Sequence, residues 1–203
     1  MVWYPEKNIL FCGDNLYKSF PNLYTIRGTA YRDPLKWVSS IDHMRDLKPK
    51  LLVPSHTLPV IGSDSVQKIL IDYRDAIQFV HDQTVRGMNM GLTPDELADN
   101  IHLPEHLASS PYLQEFYGKV RWCVKNIFIG YLGYFDGKPG TLLPLSPADK
   151  AKEIALISGG NEALLEQAQK ALKDKKDQWA LELSAYLKSL PVDQEIVKEI
   201  RIE

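Results

Sequence analysis

Ile9-Leu10-Phe11-Cys12-Gly13 runs into Asp14-Asn15, and Leu51-Leu52-Val53-Pro54 runs into Ser55-His56. Each is a short apolar run that stops on a polar group able to bind a cation, and reading the two together decides the fold. Apolar runs of strand length on either side of a helical stretch predict a strand, helix, strand unit. Strand ends hold side chains rigidly and aim them at a common edge, so the carboxylate of Asp14 and the imidazole of His56 are expected to meet there. A hard oxygen donor with a borderline nitrogen donor is what a zinc site uses. Read singly, Gly13-Asp14-Asn15 is an ordinary turn after a strand, and Ser55-His56 is a loop. Two ligands do not complete the site either, because zinc takes four protein ligands, or three plus water. His43 falls on the polar side of its helix, and His81, His102 and His106 show no His-x-x-x-His spacing. A self-contained metal site is therefore not expected.

Working outward, Val2–Tyr4 and Lys7–Cys12 read as two short strands across a Pro-Glu turn. Asp33-Pro34 is a helix start, with a capping carboxylate and proline in the first turn. Leu35, Val38, Ile41, Met44 and Leu47 then recur at helical spacing until Lys48-Pro49 stops the helix. This is a layered α/β domain or its last part. The character changes near Gly62. Val66, Ile69, Leu70, Tyr73, Ile77, Val80 and His81 mark one face of a long helix to about Met90, and Thr93-Pro94-Asp95-Glu96 opens another as a capping box. A further helix is expected from about Leu113 to Tyr134, and another after Ser146-Pro147. Asn161–Lys173 and Asp177–Leu190 are expected to pair antiparallel around Leu164, Ala168, Ala171, Trp179, Leu183 and Leu187, a single hairpin rather than a repeat array. The last two-thirds thus reads as all-helical.

Composition narrows the function. The 203 residues are 44% hydrophobic and 25% charged with a formal net charge of −2, enough for one sizeable core or two smaller ones. The near-neutral balance argues against a general nucleic-acid binder. No apolar run approaches the ~18 residues of a membrane span. Met1-Val2-Trp3-Tyr4-Pro5-Glu6-Lys7 lacks the basic start and apolar stretch of a signal peptide and enters strand-like sequence directly, as expected of a piece cut from a larger protein. The compartment is not legible. Cys12 and Cys123 fit neither a disulfide framework nor a compact zinc motif.

The stretch from Asp14 to Asp33 is the other informative one. Arg27 offers a planar fork of donors suited to phosphate or sulfate oxygens, and Asn22 adds a neutral amide donor. The alternative is that Arg27 pairs with Asp14 or Asp33 and Arg32 with neighbouring Asp33. The aromatic residues Phe116, Tyr117, Trp122, Phe128, Tyr131, Tyr134 and Phe135 are expected mostly in the core, with part lining a tunnel or a subunit interface.

Asp14-Asn15, Asn22-Leu23-Tyr24-Thr25-Ile26-Arg27-Gly28, Arg32-Asp33-Pro34, Ser55-His56, His81-Asp82-Gln83-Thr84, Tyr117-Gly118 and Tyr131-Leu132-Gly133-Tyr134-Phe135-Asp136-Gly137 fall in the order seen in the metallo-β-lactamase-fold alkyl sulfatases, a family that includes enzymes degrading dodecyl sulfate. The resemblance covers about residues 1 to 190. It implies an α+β chain: residues 1–62 resemble the C-terminal part of the αββα catalytic domain, and 63–203 the helical dimerisation domain. A sterol-carrier-like domain would follow beyond Glu203. In this family two zinc ions are held by a His-x-His-x-Asp-His cluster, two acidic residues and a late histidine. Asp14 matches the second acidic ligand, where bacterial members more often carry glutamate, and His56 matches the late histidine. The cluster and the first acidic ligand are absent from this sequence. Arg27 and Asn22 fall where the family contacts sulfate, with Arg32 a second contact. The implied activity is zinc-dependent hydrolysis of linear alkyl sulfate esters by the whole protein, acting as a homodimer through the helical domain. This stretch alone is expected to be inert, and none of its residues is assigned a catalytic role. Two other readings stay open: a helical dimerisation module without catalysis, and a hydrolase of the same fold acting on a thioester or lactone.

Overall fold

A computed structural model describes residues 1–202, with Glu203 outside the described residues. The strands β1 (Val2–Tyr4), β2 (Ile9–Gly13), β3 (Leu51–Pro54) and β4 (Val60–Ile61) form one sheet in that order. The β1/β2 and β3/β4 pairs are antiparallel, whereas β2 and β3 are parallel with Leu10 beside Leu52. Parallel pairing puts the carboxyl ends of β2 and β3 side by side, so Asp14 and Ser55-His56 leave the sheet at one edge. The helix between them, α1 (Pro34–Asp46), starts as expected: Asp33 accepts from the Leu35 and Lys36 N–H groups at 2.9 and 3.3 Å. Its buried face carries Pro34, Val38, Ile41 and Met44, while Leu35, expected in that row, is exposed.

The remaining helices are α2 (Ser63–Asn89), α3 (Pro94–Asn100), α4 (Glu105–Ala108), α5 (Val120–Leu132), α6 (Pro147–Ile157), α7 (Asn161–Lys173), α8 (Asp177–Leu187) and α9 (Gln194–Ile202). Thr93 and Glu96 close the expected capping box. Further details differ from the sequence reading. Strand β4 and helix α9 went unread, β4 because two residues are too few to show a period. Residues 113–119 are not helical: Glu115 Oε1 accepts from the Val120 N–H at 2.6 Å and starts α5 seven residues later than expected. Trp179, placed in the hairpin core, is exposed on α8.

The chain divides into two compact units, Met1–Lys138 and Pro139–Glu203. Gly62, where strand-like sequence gives way to helices, lies inside the first. The first unit's core joins Leu10, Cys12 and Leu52 of the sheet to Ile41 and Met44 of α1, Leu70, Tyr73 and Ile77 of α2, and Val124 and Ile127 of α5. Leu16, Phe20 and Leu23 from the irregular stretch between β2 and α1 are buried in it too. Each such side chain contributes about 1.5–3 kcal/mol by leaving water, so this loop is anchored like a core element. One face of the sheet is bare: Val2, Phe11 and Ile61 are exposed on it. The second unit is a helical cluster in which Leu164, Ala168 and Ala171 of α7 meet Ala180, Leu183 and Leu187 of α8, with Ala151, Ala155, Val197 and Ile200 joining them. Among the described residues, no helix is long and apolar enough to cross a membrane.

Candidate functional site

Gly13 leaves β2 with φ of 60°, a conformation that suits glycine and turns the chain sharply out of the strand. The turn is then locked by its neighbours rather than by Asp14. The Asn15 amide donates to the Cys12 carbonyl at 2.9 Å, and Trp37 Nε1–H of α1 donates to the Asn15 carbonyl at 2.9 Å. Across the edge, the Ser55 N–H donates to the Gly13 carbonyl at 3.2 Å and carries the ladder one step past β3. His56 follows at once, and its Nδ1–H donates to Asp14 Oδ1 at 2.7 Å. Both side chains are largely exposed, so the pair itself adds little stability. With Nδ1 committed, Nε2 of the imidazole and the second carboxylate oxygen remain for a cation.

Asp14, His56 and Arg27 line one cleft of about 460 Å³, together with Tyr17, Lys18, Ser19, Thr57 and Tyr117. A second cleft of about 310 Å³ shares Asp14, Tyr17, Arg27 and Tyr117 and adds Asn15, Arg32 and Trp37. Arg27 sits at the tip of a closed turn in which the Gly28 N–H donates to the Thr25 carbonyl at 2.9 Å and the Thr25 hydroxyl donates to the Gly28 carbonyl at 3.1 Å. Among the described residues it makes no ion pair, so the pairing with Asp14 or Asp33 considered above is not formed. Arg32 does not bind Asp33, which caps α1; its Nη1 donates to the Asn22 carbonyl at 2.7 Å and closes the loop at its base. Asn22 itself is buried behind the cleft wall, where its N–H donates to Tyr17 Oη at 2.7 Å and its Oδ1 lacks a hydrogen-bond partner among the described residues.

Tyr17 and Tyr117 went unread in the sequence as cleft residues. Tyr17 packs edge-to-face on Tyr73 and Tyr117 with ring centroids 6.2 and 6.1 Å apart, and burial pushes its hydroxyl up to about 12. It stays a neutral phenol at physiological pH. Of the aromatic residues expected mostly in the core, only Phe128 is buried there; Phe116, Tyr117, Trp122, Tyr131, Tyr134 and Phe135 are exposed. His81 is not a free ligand: its Nδ1–H donates to Asp82 Oδ1 at 2.7 Å and its Nε2 accepts from the Tyr131 hydroxyl at 2.9 Å.

The Asp14–His56 pair fits zinc in donor type but not in number. No group of three or more His, Cys, Asp or Glu suited to a metal exists among the described residues.

An α+β chain whose Asp–His pair and a guanidinium line one cleft is what these features define. The comparisons with known proteins bear on the fold and the family. Residues 93–203 match the family model for alkyl sulfatase dimerisation, and the chain belongs to that family. Membership of a dimerisation family supports homo-oligomerisation. The chain is 41% identical over 203 residues to the linear primary-alkylsulfatase of Pseudomonas sp. (strain ATCC 19151), covering 99% of this chain and 38% of that protein. It is 30% identical over 182 residues to the alkyl/aryl-sulfatase BDS1 of Saccharomyces cerevisiae, covering 88% of this chain and 28% of the relative. The solved structure of the stereoselective inverting sec-alkylsulfatase Pisa1 from Pseudomonas sp. superposes with a TM-score of 0.91 at 30% identity, over 98% of this chain and 32% of that one. The chain thus spans well under half of the relatives it matches.

Proposed function

We propose that this chain is the end of the catalytic domain plus the helical dimerisation domain of an alkyl sulfatase, and that the whole protein hydrolyses linear alkyl sulfate esters. The observation that carries the reading is the shared cleft, where the Asp14–His56 pair and Arg27, which makes no ion pair among the described residues, face one space. A cation held at one wall and a guanidinium at the other suit a sulfate ester, whereas a thioester or lactone has no use for the second charge. Arg27 binds the sulfate oxygens. Arg32 reaches the same anion from the adjoining cleft, and Asn22 does so through the N–H donors of its side-chain amide, with Oδ1 turned away. The missing metal ligands lie outside this chain, and zinc, when bound by the full set, supplies Lewis acidity and an activated water near neutral pH. The bare apolar face with Val2, Phe11 and Ile61 fits the same view: in the parent protein, residues outside this chain cover it. Residues 1–62 then belong to the catalytic αββα domain and residues from 63 onward to the helical domain through which two copies associate. The exposed Phe116, Trp122, Tyr131, Tyr134 and Phe135 are among the aromatic residues available for that association.

The test is dodecyl sulfate hydrolysis by the full-length protein. Chelation abolishes turnover. Arg27→Ala raises KM by about 10- to 100-fold, the loss expected for a charge-assisted hydrogen bond of about 1.5–3 kcal/mol. An unchanged KM in the folded variant defeats the sulfate reading.

A further inference from the structure

The stretch that carries Arg27 is seated on the segment from Gln114 to Gly130, far away in sequence. The Phe20 N–H and the Ser19 hydroxyl both donate to the Gln114 carbonyl, at 2.9 and 3.0 Å. Gly118 lies so close to the Phe20 and Pro21 carbonyls that a Cβ there would stand 2.6 and 2.5 Å from their oxygens. On α5, Asn126 Nδ2–H donates to the Leu23 carbonyl at 3.3 Å. One more contact is made by the side chain next to the loop's closing arginine. The Tyr31 ring lies directly on Gly130, where a Cβ would fall 2.8 Å from Cδ2 and nearer still to Cε2 and Cζ.

Gly130 sits inside a helix, where glycine is disfavoured against alanine, so local propensity gives no reason for it. Its benefit is room. The helix turn beneath the ring is itself fixed, because the neighbouring Tyr131 hydroxyl donates to His81 of α2. From that seat Tyr31 leads straight into Arg32, which clamps the Asn22 carbonyl and closes the loop whose tip is Arg27. We propose that Gly130 is a positioning residue: by admitting the Tyr31 ring it sets where the Arg27 guanidinium stands over the cleft. This rests on the reading of Arg27 as the anion contact.

The experiment is a double-mutant cycle in the full-length enzyme, with KM and kcat for dodecyl sulfate and the thermal midpoint measured for each variant. Gly130→Ala drives the ring out of its seat, and KM rises about tenfold or more with a smaller change in kcat, as expected of a binding group displaced by about an ångström. Tyr31→Ala also raises KM. In that background Gly130→Ala changes KM less than twofold and raises the thermal midpoint, because an alanine with nothing above it strengthens the helix. A purely structural role for Gly130 would show the same penalty in both backgrounds, and that result overturns the proposal. So does an unchanged KM in folded Gly130→Ala. Should Gly130→Ala not fold, folded Tyr31→Ala decides: a KM like that of the parent refutes the seat. Arg27→Ala separates the two ideas. If it leaves KM unchanged, the sulfate reading itself fails; if it raises KM and Gly130→Ala does not, only the positioning claim fails.

Discussion

The two units of this chain are held together by different means. In Met1–Lys138 much of the order comes from irregular backbone, fixed by buried large side chains and by hydrogen bonds that reach across about a hundred residues, such as Ser19 to Gln114. In Pro139–Glu203 the seam between α7 and α8 is built on small residues, with Ala168 and Ala180 fully buried between leucines. The cleft with Asp14, His56 and Arg27 lies in the first kind of structure. Regular helices present side chains in rows, whereas converging an acid, an imidazole and a guanidinium takes loops with individually determined backbones.

That difference is breakable from both sides. The largest effect is expected from truncation in the first unit: Phe20→Ala, at a fully buried pillar of the Arg27 loop, costs about 3–5 kcal/mol of stability in urea unfolding. In the second unit the sensitive change is enlargement. Ala168→Leu overfills the α7/α8 seam and costs about 1–3 kcal/mol by the same measurement. A tolerated leucine there would show that the seam is looser than its packing implies.

The smallest effect is electrostatic. Hydrogen bonds from Lys125 and Lys138 hold the Asp95 carboxyl down to about 2. A depressed acid contributes stability above its unfolded value of about 4 and loses it as the pH falls through about 2. Asp95 is nearly half exposed, so Asp95→Asn removes less than about 1 kcal/mol of this acid-sensitive stability. Midpoints of the parent and variant compared at pH 6 and pH 2.5 check it: the difference at the higher pH shrinks at the lower, before it is lost below about pH 2.

The sequence made the parallel β2/β3 edge legible because apolar runs, a capping aspartate and a proline all agree there. The α7/α8 hairpin was readable from the helical spacing of its leucines and alanines alone. The convergence of Asp14 and His56 followed from the edge alone. What stayed hidden depends on partners distant in the chain. Leu113, Phe116 and Tyr117 have helix-compatible spacing, yet the backbone of residues 113–119 goes to the Ser19–Phe20 loop instead. Trp122 and Tyr131, nine residues apart, fall on opposite faces of α5, and periodicity does not say whether anything covers either face. Nothing in the sequence ties Tyr31 to Gly130, 99 residues further on, and only the space above Gly130 gives its ring a place.

The chain's two cysteines, Cys12 and Cys123, are both buried, unpaired and inside the first unit. Burial pushes their thiols up to about 11 and about 12, so neither is a thiolate at neutral pH and neither meets solvent while that unit is closed. An alkylating reagent added to the native protein therefore acts as a stopwatch for the opening of one unit and is blind to the other. No engineered label is needed to time when the sheet and the arginine loop come apart.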